Sequence, residues 1–390
     1  MQGYQGIYND HVLATYARYP VSFAKGSGCR LWDDAGKEYI DFMSGIGVCS
    51  IGHGHPAWVK AIADQAGMLA HTSNLFYTLP GAQLAKRLCE LSGMGGVFFS
   101  NSGAEANEGL IKLARKYSVS KYGEGRSSVL TLKGSFHGRT LATLIATGQD
   151  RFHHSFGPFP EGFRHVEPGN VAELEAQGND VCALILEPIQ GEGGVNPLDT
   201  EYVKEAARIC RERDWLLLLD EVQTGIGRTG HWFAFQDMGI EPDAISFAKG
   251  IAGGLPIGGF IVSERLRETL VAGDHATSFG GNLVCCAAAL ATLDVLEGVL
   301  PSVAEKGAYI REKIEAMNLP NVEAVRGKGL MIGVKVTGLP PAEINAKLIA
   351  AGLASLTAGS DVIRLLPPLV IEKDDIDAGL EIFERVFKSL

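Results

Sequence analysis

Short, almost wholly apolar runs punctuate the middle of the chain: Ser128–Leu132, Val181–Leu186, Trp215–Asp220, Ala244–Phe247 and Gly259–Val262. They are too short for helices and read as buried strands. Gly95–Ser100 reads as another, ending in Val-Phe-Phe-Ser. Between them the periodicity changes. Gly103–Ser118 places Ala106, Leu110, Leu113 and Tyr117 on one face, and Asp199–Arg213 is helical in the same way. Buried strands alternating with amphipathic helices predict an α/β fold with a mainly parallel sheet covered on both faces.

The pattern shifts after Asn282. An apolar helix, Leu283–Leu296, leads into a second helical stretch, Pro301–Met317. Val322–Val325 and Leu330–Val336 then read as paired strands, Val362–Leu366 as another, and a helix from Asp374 presents Ile376, Leu380, Phe383 and Phe387. This is a smaller α+β unit. The expected division is an N-terminal segment, 1–45, packing with the small domain, a large domain, 46–282, and a small domain, 283–390. The total of 390 residues fits two or three domains at about 150 residues each.

Composition narrows the function classes. The net charge of −10 argues against nucleic acid or an anionic membrane as partner, and an anionic substrate would need a locally basic pocket. Seven cysteines without a CxxC make no disulfide framework, which favours a reduced, cytoplasmic home. The first residues lack the basic start and apolar stretch of a signal peptide. The apolar stretch Leu283–Leu296 is shorter than the ~20 residues of a membrane span and contains Thr292 and Asp294.

The chemistry is concentrated at strand ends. Lys249 closes Asp243-Ala244-Ile245-Ser246-Phe247-Ala248, and Asp220 closes Trp215-Leu216-Leu217-Leu218-Leu219. Opposite charges at the ends of buried strands are costly unless something lies between them. A pyridoxal ring explains both, since the lysine amine can condense with its aldehyde and the aspartate can hold its ring nitrogen protonated. Ser102-Gly103-Ala104-Glu105 joins a strand to a helix. It reads equally as a simple capping box or as a phosphate site at a helix N-terminus. Phe136, in a glycine-flanked loop, could be core or could stack on a flat cofactor. Its neighbour Arg139 is a candidate carboxylate clamp or a solvated arginine, while Arg364, alone in Val362–Pro368, calls for an anionic partner.

Rival motifs fit less well. Gly225-Ile226-Gly227-Arg228-Thr229-Gly230 matches G-x-G-x-x-G, but its first glycine comes five residues after Asp220, not at the strand's end. Ser246-Phe247-Ala248-Lys249 matches the S-x-x-K of one hydrolase class, yet it lies on a predicted strand, and no K-T-G follows. His53, His55, His153 and His154 have no further ligands at metal spacing, so no metal site is expected.

In order along the chain stand Leu31–Phe42, Gly52-His53-Gly54-His55-Pro56, Asn101–Asn107, Phe136–Thr140, Glu187–Gly194, Asp220–Gly225 and Ala248-Lys249-Gly250. Together they resemble the class III, ornithine-aminotransferase-like branch of the fold-type-I pyridoxal-phosphate enzymes, over essentially the whole chain. The resemblance implies a homodimer with pyridoxal 5'-phosphate in each site and a ping-pong transfer, as in arginine biosynthesis, of the δ-amino group of N-acetylornithine to 2-oxoglutarate. Ornithine, succinylornithine, succinyl-diaminopimelate or 4-aminobutyrate as amine, and an aminomutase, remain open. It implies that Lys249 binds the cofactor and moves the proton, Asp220 pairs with the ring nitrogen, and Gln223 bonds the phenolic oxygen. Val222 and Phe136 would sandwich the ring, and Ser102, Gly103 and Ala104 would hold the phosphate. Arg139 and Arg364 would take substrate carboxylates, with Glu192 neutralising Arg364 when the ω-amino donor is bound. The family's Ser-Thr pair reads Thr277-Ser278 here. By resemblance Thr277 would contact substrate and Ser278 phosphate, across the subunit boundary.

Overall fold

The computed structural model describes residues 4–390. Its largest sheet has seven strands in the order Gly96–Ser100, Gly258–Val262, Ala244–Phe247, Leu216–Asp220, Val181–Leu186, Ser128–Leu132, Phe163–Val166. Gly258–Val262 runs antiparallel to both neighbours, and every other pairing is parallel. The central strands are buried at every position, which is why they read as unbroken apolar runs. Helices Gly103–Tyr122 and Thr200–Arg213 belong to the cover of this sheet, the first contacting several of its strands. Parallel register sets Asp220 opposite Ser246, so Asp220 and Lys249 emerge at the same, carboxyl edge. That edge is where ligands bind in open α/β sheets.

Two four-stranded sheets flank this unit. One contains Phe23–Ser27, Arg30–Asp33 and Glu38–Asp41, completed by Leu353–Ala354 from the far end of the chain, which pairs in parallel with Glu38–Asp41. The other contains Val322–Lys328, Met331–Val336, Val362–Leu365 and Leu356–Ala358. The closing helix, Lys373–Phe387, buries Ile376, Leu380, Phe383 and Phe387 as its periodicity predicts.

The edge strand Phe163–Val166 was not expected, because Arg164 and His165 interrupt any apolar run there. The helical region after Asn282 also differs from expectation. The two helical stretches after Asn282 form a single helix, Leu283–Ala316, with Pro301 inside it. Proline removes one backbone donor, but the helix buries Leu293 and Leu296 before Pro301 and Val303, Ile310 and Ile314 after it. Packing on both sides outweighs the lost bond. At 34 residues the helix is also long and apolar enough to cross a membrane by length and composition, unlike the shorter stretch read from sequence. Here it packs against helices Pro56–Met68, Leu79–Ser92 and Lys373–Phe387. Gly307 lets it touch the turn after Val322–Lys328, because a Cβ there would lie 1.9 Å from the Gly329 carbonyl oxygen.

Candidate active site

A cleft of about 430 Å³ opens at the carboxyl edge of the large sheet. Asp220 sits in its floor with both oxygens engaged. Oδ2 pairs with His137 Nδ1 (2.8 Å) and accepts from Asn107 Nδ2 (2.7 Å). Oδ1 accepts from the Val222 amide (3.1 Å) and Ser246 Oγ (3.3 Å). Burial alone would raise the Asp220 pKa, but the His137 hydrogen bond and charge hold it below the ordinary carboxylate range. An oriented carboxylate biased toward its ionised form is the group needed to keep a pyridine nitrogen protonated. Ser246 therefore serves Asp220, which leaves the S-x-x-K hydrolase reading without its nucleophile pair.

Lys249 lines the same cleft. It opens a short helical turn, Lys249–Ala252, and its φ of +43° is left-handed. Such strain in a residue with a side chain persists where surrounding structure fixes it, commonly at functional sites. Burial lowers its pKa, more than the charges of Glu192 and Asp220 raise it. No carboxylate lies within ion-pair distance of its amine among the described residues. A half-buried amine biased toward its neutral form is a nucleophile.

The helix Gly103–Tyr122 points its N-terminus into the cleft. Ser102 caps it, accepting from the Glu105 amide (3.2 Å), while the Glu105 carboxylate accepts from the Asn101 amide (2.9 Å). Both readings of this motif thus coexist, since the amides of Gly103 and Ala104 keep no partner among the described residues. Gly103 has a steric reason as well: a Cβ there would lie 2.7 Å from Val222 Cγ1. Phe136 and Val222 both line the cleft. The pocket therefore offers an anion cradle, two apolar side chains, a fixed carboxylate and a half-buried amine, which fits pyridoxal 5'-phosphate.

Arg364 and Glu192 lie just behind the cleft. Arg364 Nη1 donates to Glu192 Oε1 (2.6 Å) and Gln223 Oε1 (3.1 Å). Burial would raise the Glu192 pKa, yet the Arg364 charge holds it below the ordinary range. Arg139 stands at the rim, exposed, with its guanidinium over aromatic rings and no ion pair or hydrogen bond to its side chain among the described residues. Thr277 and Ser278 do not line this cleft. Thr277 Oγ1 instead accepts from Asn101 Nδ2 (3.3 Å) and the Gly280 amide (3.2 Å), and Ser278 is exposed.

Three residues escaped the sequence reading. His137 and Asn107 fix Asp220, and Glu187 accepts from the amides of Phe136 (2.9 Å) and Gly191 (3.1 Å). Burial pushes the Glu187 carboxyl up to about 7. All three stood inside motifs already singled out, but only a fold that brings distant strands together shows what they touch. The Gly225–Gly230 run is not a nucleotide cradle. Arg228 is buried there, donating to the carbonyls of Leu330 (3.1 Å) and Pro367 (2.5 Å), so the run packs against later parts of the chain. His53 pairs with Asp41, and His153 Nε2 meets the Leu144 and Thr147 carbonyls. Among the described residues no group of three or more His, Cys, Asp or Glu could hold a metal.

Fold and site together define a pyridoxal-phosphate-dependent aminotransferase. Residues 13–387 match the family Aminotransferase class-III, and the chain belongs to it. It is 46% identical over 385 residues to an acetylornithine aminotransferase of Haemophilus ducreyi, covering 98% of this chain and 97% of that one. Among solved structures it is similar to an ornithine aminotransferase of Toxoplasma gondii with partial occupancy of PLP at its active site (TM-score 0.94, 30% identity, 100% of this chain and 95% of the other). It is also similar to N-acetylornithine aminotransferase of Stenotrophomonas maltophilia (TM-score 0.84, 35% identity, 96% and 97%).

Proposed function

We propose that the protein moves the δ-amino group of N-acetylornithine to 2-oxoglutarate, giving N-acetylglutamate semialdehyde and glutamate. The observation that carries this reading is the contrast between two arginines, one masked by Glu192 and the other unpaired at the rim. A donor with one carboxylate needs only Arg139. An acceptor with two carboxylates needs Arg364 as well, and Glu192 can give way to it. An unpaired buried guanidinium would cost several kcal/mol, which the glutamate avoids during the donor half.

Pyridoxal phosphate, when bound, supplies an electron sink for charge developing on the carbon that bears the transferred nitrogen. Ser102, Gly103 and Ala104 would hold its phosphate, Phe136 and Val222 its ring faces, Gln223 its phenolic oxygen and Asp220 its ring nitrogen. Lys249 would anchor the cofactor and, as a free amine once substrate is bound, would take a proton from the carbon bearing the transferred nitrogen and return it to the cofactor. Thr277 and Ser278 fit a site completed by a second copy of the chain. Supporting that is the exposed apolar ground beside them: Leu75, Phe76, Tyr77 and Phe279 are largely open to solvent, and Asn74 ties the two loops through the Thr277 and Gly280 carbonyls. These features support a homodimer. The proposal also places the protein in the cytoplasm and divides the chain at 45 and 282, and the pairing of Glu38–Asp41 with Leu353–Ala354 supports an N-terminal segment that packs with the small domain.

The test is a panel of amines with the purified enzyme, scored by glutamate formed. N-acetylornithine should give the highest kcat/KM, above ornithine, succinylornithine, succinyl-diaminopimelate and 4-aminobutyrate, with no turnover when 2-oxoglutarate is omitted. A better amine, or product without 2-oxoglutarate as a mutase would give, contradicts the proposal.

A further inference from the structure

Phe152 closes the short turn Asp150–Phe152, outside every motif singled out in the sequence. The turn is tied to the loop that carries Phe136. Gln149 Nε2 donates to the Ser135 carbonyl (2.9 Å), and the Phe152 amide donates to the Gln149 carbonyl (3.0 Å). The rings of Phe136 and Phe152 meet edge to face at 6.1 Å and 82°, forming an aromatic corner. The Arg139 guanidinium sits 4.0 Å from the Phe152 centroid and 5.5 Å from that of Phe136. Arg151 lies 4.7 Å from the Phe152 ring and is held by Gln149 Oε1 (2.8 Å).

These contacts orient a cation without consuming its donors. A ring attracts a guanidinium electrostatically, whereas a carboxylate would neutralise it and occupy its N–H fork. Arg139 thus keeps its donors free while its long side chain is restrained. We propose that Phe152 is a positioning residue that holds Arg139 ready for the carboxylate common to both substrates. The inference rests on the reading of Arg139 as a carboxylate clamp. It separates two aromatic roles, with Phe136 shared between cofactor and clamp and Phe152 serving the clamp alone.

The experiment compares F152L, F152M and F152Y with wild type and R139A, all loaded with pyridoxal phosphate. Binding of glutarate, a dicarboxylate that cannot react, is measured by calorimetry beside steady-state kinetics. F152L and F152M should weaken glutarate and raise KM for both substrates about fivefold, with kcat within roughly a factor of two, and F152Y should restore wild-type values. Cofactor absorbance and melting temperature should not move in any Phe152 variant, which a merely structural role would not allow. If R139A weakens glutarate while F152L and F152M do not, the inference is overturned and the clamp stands. If R139A itself changes neither glutarate binding nor either KM, the clamp reading fails, and the role of Phe152 falls with it.

Discussion

The floor and the rim of the cleft are built differently. In the floor, Asp220 is buried and held by His137, Asn107, Ser246 and a backbone amide, all within 3.3 Å. At the rim, Arg139 is exposed, with its guanidinium over two rings and no ion pair or hydrogen bond among the described residues, and Thr277 and Ser278 do not line the cleft. The floor must keep one geometry throughout two half-reactions. The rim must accept two substrates of different length and charge. Arg364 and Glu192 stand between these extremes, the arginine buried and the glutamate half-buried, joined by an ion pair that in the proposed function gives way to a substrate carboxylate.

If that contrast is right, substitutions in the floor cost rate and those at the rim cost affinity. Asp220→Ala should lower kcat by several orders of magnitude while phosphate binding to the apoenzyme persists, and a near-normal kcat would erase the distinction. Arg139→Ala should raise KM for N-acetylornithine and 2-oxoglutarate by about 10–100-fold, the worth of a charge-assisted pair, leaving kcat for the chemical step much less affected. Glu192→Ala unmasks Arg364, so the ratio of kcat/KM for glutamate over that for N-acetylornithine should rise about tenfold, as single-turnover spectra would report. No change in that ratio would mean that the ion pair does not discriminate donors.

The smallest effect concerns stability. Glu221 lies beneath the floor, fully buried, accepting from Thr224 Oγ1 (2.5 Å) and the Phe235 amide (2.9 Å). Burial pushes its carboxyl up from 4.5 to about 7. Between those values the folded protein binds the extra proton, so its contribution is present below the lower pH and lost as pH rises through the upper. Unfolding free energy at fixed cofactor concentration should therefore decline across that window by roughly 1–3 kcal/mol from this group. Glu221→Gln should flatten the decline, and an unchanged slope in denaturant titrations would assign it elsewhere.

The central strands of the large sheet were legible because each is buried on both faces, so composition alone marks them, whereas the part-buried edge strand Phe163–Val166, with Arg164 and His165 in it, carries no apolar run to mark it. The ends of those strands were legible for the same reason, since Asp220 and Lys249 interrupt apolar runs. Pro301 misled because its local cost is visible in sequence whereas the compensating packing of Leu283–Ala316 is not. His137, Asn107 and Glu187 were hidden by distance, since Asn107 and Asp220 lie 113 positions apart and meet only when the sheet assembles. Phe152 was hidden because an aromatic in a polar turn has no periodicity to betray its partner.

The central claim is that a single amine, at position 249, anchors the cofactor. Reduce the loaded protein with borohydride, digest it and map the peptides by mass. The account predicts the pyridoxyl increment on the peptide containing Lys249, at near-complete occupancy, and on no other lysine. An unmodified Lys249 peptide, or the increment on a different lysine, would contradict it.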